Sequence, residues 1–75
     1  MSMPQPNELK QIVNEVIGPV ASSILMGRVC ELLENNHKDP VAQKQACDKI
    51  GKMVSLFIGP DTAQVLEKRF REKLN

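Results

Sequence analysis

The quartet Glu34-Asn35-Asn36-His37 has the Glu-x-x-His spacing with which carboxylate di-metal sites place two ligands on one helical turn. Such a site also needs inward-facing carboxylates from other helices. Here two asparagines fill the quartet, and His37 is the single histidine of the chain. The quartet reads as a solvated helix end, with no metal ligand assigned. Nucleophilic and acid–base catalysis find no better support: Ser22 and Ser23 have no base near them in sequence. Gly18, Gly27, Gly51 and Gly59 are too scattered to form a phosphate-cradling loop. No catalytic residue and no cofactor is therefore expected, and the chain does not read as an enzyme. Cys30 and Cys47 fall in neither a metal-type nor a thioredoxin-type spacing. Two free, half-buried thiols in a reducing compartment are the leading reading, with a disulfide between neighbouring helices as the alternative.

The charged residues are more informative. Arg28 and Arg69 each stand three residues after a leucine and three before a glutamate. That places each at the edge of an apolar stripe, able to pair along its own helix or to reach another helix end. A structural role is the first expectation for both, partner binding the second. The run Lys68-Arg69-Phe70-Arg71-Glu72-Lys73, with Lys44, Lys49 and Lys52, makes a locally basic surface of the kind that contacts phosphates. Glu67 and Glu72 interrupt it, however, and basic helix ends are favoured by the helix dipole in any case. The net charge of +1 supplies no whole-molecule field toward nucleic acid or anionic membrane.

The elements that must carry these residues are helical. Leu9, Ile12, Val13, Val16 and Ile17 recur as an amphipathic stripe after Asn7, which reads as the N-cap. Gly18, expected in the left-handed conformation of a helix end, and Pro19, at the first position of the next helix, make a corner without a loop. The second helix runs to about Asn35 with Val20, Ala21, Ile24, Leu25, Val29, Leu32 and Leu33 on its apolar face, and Gly27 inside it suggests a close crossing. Asp39 caps a third helix that begins at Pro40, carries Ile50, Met53, Val54 and Phe57, and ends at the second corner, Gly59-Pro60. Gly51 lies in its middle, where it suggests a kink or a close approach. A fourth helix follows with Ala63, Leu66, Phe70 and Leu74.

The two corners lie 41 positions apart, and at that shift the halves align without a gap. Ile17-Gly18-Pro19 falls on Ile58-Gly59-Pro60, Leu25 on Leu66, Arg28 on Arg69 and Glu31 on Glu72. Each unit alone would expose an apolar face, and two units bury it against each other. The expected fold is all-α: a compact four-helix arrangement of two pseudo-twofold-related helix–Gly-Pro–helix units. Residues 1–6 read as a flexible N-terminal arm and 7–75 as a single helical domain, with repeat units at about 8–34 and 49–75. With 75 residues there is one domain at most, marginally stable by itself. The stretch Met1–Pro6 has neither cationic nor apolar character, so a signal peptide is not expected, and the expected setting is cytoplasmic without membrane contact.

Ile17-Gly18-Pro19-Val20-Ala21, followed by Leu25 and Arg28, resembles a motif of a small helical module attached to bacterial, notably cyanobacterial, signalling proteins, including some serine/threonine kinases and response regulators. The resemblance covers about a third of the chain, and the second copy departs from it with Asp61-Thr62 in place of Val20-Ala21. What it implies is a non-catalytic accessory module of bacterial signalling. Combined with the missing catalytic groups, this makes a protein-interaction or adaptor role the leading expectation. The partners expected are a second copy of the chain and an unidentified signalling protein. Met26, Leu56 and Val65, off the main stripes, are the candidate apolar contacts, beside Arg28 and Arg69. The runner-up is a small nucleic-acid-binding regulator that uses the third and fourth helices.

Overall fold

A computed structural model describes residues 4–74 of the chain. Four helices follow one another: α1 (Pro6–Ile17), α2 (Ser23–Asn35), α3 (Pro40–Phe57) and α4 (Pro60–Leu74). Each packs backbone-close on two neighbours in the cyclic order α1, α2, α3, α4, and side chains of all four meet in one core. Exchanging the two units maps the α1/α4 contact onto α3/α2, as a pseudo-twofold arrangement requires. The radius of gyration of 11.1 Å agrees with the roughly 11 Å expected for one folded domain of this length.

The core follows the repeat. Leu9 and Ile50, Val13 and Val54, Leu25 and Leu66, and Val29 and Phe70 are matched pairs under the 41-residue shift, and every one of them is buried. Ile17, Leu33, Cys47 and Ala63 complete much of the cluster. Cys30 is half-buried, and both thiols are free. Within this apolar interior Gln43 is the one buried polar side chain among the described residues, and its Nε2 donates to the Pro4 carbonyl at 3.0 Å. That bond draws the chain before α1 onto α3. Of the arm expected over residues 1–6, Met1–Met3 lie outside the described residues; Pro4 is held by Gln43, and Pro6 already begins α1.

Helix starts obey local capping chemistry, with two departures from expectation. α1 starts at Pro6 and not after Asn7, because Gln5 is extended (φ −75°, ψ 153°) and the Glu8 carboxylate accepts its N–H at 2.8 Å. The larger departure is the first corner. Gly18 is right-handed (φ −49°, ψ −47°) and continues the helical winding by donating to the Asn14 carbonyl. Its lack of a side chain is required by space: a Cβ would run into the Asn14 carbonyl oxygen. The chain then turns through Pro19, Val20 and Ala21, and α2 begins only at Ser23, where Ser22 Oγ accepts from the Leu25 N–H at 3.1 Å.

The second corner is the one with the expected geometry. Gly59 has φ +148°, its N–H reaches back to the Val54 carbonyl at 3.0 Å, and Pro60 opens α4 at once. The repeat explains the difference, since Ala63 stands where the first unit has Ser22. A serine there offers the backbone a cap and a late start, whereas alanine offers none. Asp39 caps α3 as expected, accepting from the Val41 N–H at 3.1 Å. Gly51 marks the close approach of α3 to α4, where a Cβ would meet the Glu67 side chain, while Gly27 faces open space and marks no crossing.

Candidate functional site

The corner loop of residues 18–22 leaves part of α3 uncovered. Phe57, read from the sequence as part of the third helix's apolar face, is 72% exposed; Val20 and Ile24, read as part of the second helix's apolar face, are 66% and 85% exposed. These three residues line a groove of about 700 Å³ between α2 and α3. Its wall is continued by Leu25, Leu32, Met53 and Ile58, which also touch the core. Arg28 from α2 and Lys49 and Lys52 from α3 stand on the same groove. Among the described residues none of the three makes an ion pair.

The pseudo-twofold places a second hollow between α1 and α4, lined by Glu8, Gln11, Ile12, Glu15, Arg69 and Lys73 among others. Here both cations have carboxylate partners from α1, while Glu72, a third carboxylate on the hollow, makes no ion pair among the described residues. Arg69 donates to Glu15 at 2.8 Å, and Lys73 lies 3.6 Å from Glu8. Both pairs are about half exposed, so each contributes roughly 0–1 kcal/mol to stability. The repeat converts one hollow into the other residue by residue. Glu8 becomes Lys49, Gln11 becomes Lys52, Glu15 becomes Leu56, and Lys73 becomes Leu32, while Arg69 is retained as Arg28. The α1/α4 hollow is thus closed by its own carboxylates. At the α2/α3 groove Lys49 and Leu56 stand where the hollow has Glu8 and Glu15, and Glu31, the match of the third carboxylate Glu72, does not line the groove.

The sequence-derived candidates separate accordingly. Arg69 bridges two helices, with Glu15 in place of Glu72 as its partner. Arg28 joins the groove and bridges nothing. Met26 is half-buried and packed against the core, so it is not an outward contact, because its side of α2 turns toward the interior. Leu56 and Val65 are exposed, but they do not line the groove. Gly18, Pro19, Gly59 and Pro60 form the corners. Lys49, Lys52, Val20, Ile24 and Phe57 were not singled out as one site by sequence reasoning. Comparing charges across the repeat would have flagged the lysines, since Glu8 against Lys49 reverses sign at a matched position.

The remaining titratable groups are local. His37 Nδ1 lies 2.6 Å from the Glu34 carbonyl oxygen and closes the end of α2. The Glu34 carboxylate pairs with Lys10 of α1, whose hydrogen bond and charge hold it below the usual carboxylate range. Burial, helped by the charge of Asp48, pushes the Cys47 thiol up to about 12. Among the described residues no three His, Cys, Asp or Glu side chains gather as a metal site would require, and no helix is long and apolar enough to cross a membrane. Compared with family models, curated proteins and solved structures, the chain matches none of them.

Proposed function

We propose that this chain is a non-catalytic protein-interaction module, of the adaptor kind found in bacterial signalling, that holds its partner in the α2/α3 groove. The observation that supports this reading is the exposure of Val20, Ile24 and Phe57 on one groove whose floor is continuous with the core. Large apolar side chains gathered on a concave surface lose free energy to water until a partner covers them. A cytoplasmic setting accords with free thiols at Cys30 and Cys47. An isologous homodimer through this face would bring the cations of two groove linings into one interface with no lining carboxylate to offset them, so the favoured occupant is a different protein.

Affinity capture from a native cell extract tests the reading. The wild-type chain should retain a partner that the double variant Ile24→Ser/Phe57→Ser loses. Arg28→Ala should weaken capture while leaving the melting temperature unchanged, since Arg28 holds no other element. A partner retained equally by all three proteins sinks the groove assignment.

The nucleic-acid reading draws on the same Arg28, Lys49 and Lys52. It draws nothing from Arg69 and Lys73, whose charges face carboxylates of α1. An apolar floor is also a poor surface for phosphates. Absence of binding to duplex DNA at low ionic strength, where electrostatic affinity peaks, would eliminate it.

A further inference from the structure

We infer that the occupant of the α2/α3 groove is a short acidic amphipathic helix of a partner protein. This rests on the interaction-module reading and adds the chemistry of the partner. The molecule itself contains the comparison that carries it. At the pseudo-equivalent α1/α4 hollow, carboxylates from Glu8 and Glu15 meet Lys73 and Arg69. At the α2/α3 groove both carboxylate positions have become Lys49 and Leu56, and Gln11 has become Lys52. The groove lining therefore holds three cations and no carboxylate, and none of the three makes an ion pair among the described residues. A ligand that brings carboxylates and also covers apolar surface complements the groove on both counts.

The most exposed apolar groups and the charges lie toward different ends of the groove, with Leu32 and Met53 lining it among the charges. α2 runs away from the first corner and α3 runs toward the second, so Ile24 and Phe57 lie at the helix ends nearest the corners. Arg28, Lys49 and Lys52 lie farther along their helices. From Ile24 to Leu32, or from Lys49 to Phe57, the groove extends about 12 Å at the helical rise. That length suits about two turns of a docked helix, with apolar anchors toward the corners and carboxylates toward Lys49. A second copy of the chain fits poorly, because two groove linings would bring cations and no carboxylate into one interface. A phosphate backbone would leave Ile24 and Phe57 in water.

Three sets of synthetic 14-residue peptides test the inference by fluorescence anisotropy against the intact chain. All share one apolar stripe at helical spacing, and the flanking positions carry Glu in the first set, Gln in the second and Lys in the third. The Glu set should bind at least tenfold more tightly than the Gln set, and the Lys set should not bind. The double variant Lys49→Glu/Lys52→Glu should reverse that order, with circular dichroism reporting an unchanged fold. Equal binding of the Glu and Gln sets, abolished by Ile24→Ser/Phe57→Ser, would overturn the acidic occupant and leave the interaction groove standing. Binding of no set, together with a captured partner indifferent to Ile24→Ser/Phe57→Ser, would overturn both. A groove-dependent dimer in light scattering, or duplex DNA competing with the Glu set at equal affinity, would also overturn the acidic helix.

Discussion

At the scale of single residues, Gly18 and Gly51 lack room for a side chain, Gly59 needs its backbone freedom, and Gly27 needs neither. Gly59 sits at φ +148°, where a side chain is strained whatever the surrounding space. Gly59→Ala should cost about 1–3 kcal/mol in chemical denaturation. Gly27 is helical with nothing near its missing Cβ. Gly27→Ala should therefore stabilise the chain by about 0.5–1 kcal/mol, and the two variants should move the denaturation midpoint in opposite directions. The two thiols differ by the same kind of local reasoning. Cys47 is buried and its pKa is raised from 9.0 to about 12, whereas Cys30 is half-buried. A raised folded pKa gives stability that is complete below the unfolded value and lost as pH climbs toward the folded one. Stability should thus decline between about pH 9 and 12, and Cys47→Ala should flatten that decline relative to wild type. Native alkylation at neutral pH should modify Cys30 well before Cys47.

At the scale of elements, the decisive comparison is between the two corners. They have the same Ile-Gly-Pro residues and different geometry, because Ser22 caps α2 while the matched Ala63 lies inside α4. Ser22→Ala should cost about 1 kcal/mol, the usual value of such a cap, in thermal or urea unfolding. Its helix content should also rise slightly if α2 then extends back toward Pro19, which far-ultraviolet circular dichroism would register. The α1/α4 and α2/α3 pairings show divergence of another kind. One interface keeps ion pairs across it, and the other has exchanged them for lysines and an exposed apolar lining. Duplicated units need both interfaces for the fold, but their outer rims are free to diverge.

At the scale of the whole molecule, core and groove should respond very unequally to mutation. A domain of this length has a total stability of about 4–11 kcal/mol. Leu66 is fully buried, so Leu66→Ala should cost about 2–5 kcal/mol and bring the chain close to unfolding at ambient temperature. Phe57→Ser, at the groove, should change stability by less than about 0.5 kcal/mol. Parallel urea melts of the two variants separate residues kept for the fold from residues available for a partner.

Much was legible without coordinates: the all-α class, the four helices, the repeat, the Asp39 cap and the corner at Gly59. Each depends on short-range chemistry, namely apolar spacing at the helical period and the backbone limits of glycine and proline. The repeat also picked out matched apolar positions, of which Leu9/Ile50, Val13/Val54, Leu25/Leu66 and Val29/Phe70 are buried while Ile24/Val65 and Phe57 are exposed. Only tertiary structure decided that Val20, Ile24 and Phe57 stay in water, that Met26 does not, and that Arg28 and Arg69 have different neighbours. Periodicity says which face of a helix is apolar; it does not say how much of that face a neighbour covers. The cover depends on where α2 begins, and one hydrogen bond from the Leu25 N–H to Ser22 moves that start by a helical turn. The groove, with its three cations, exists because of that displacement and because the carboxylates Glu8 and Glu15 of one unit were not repeated in the other.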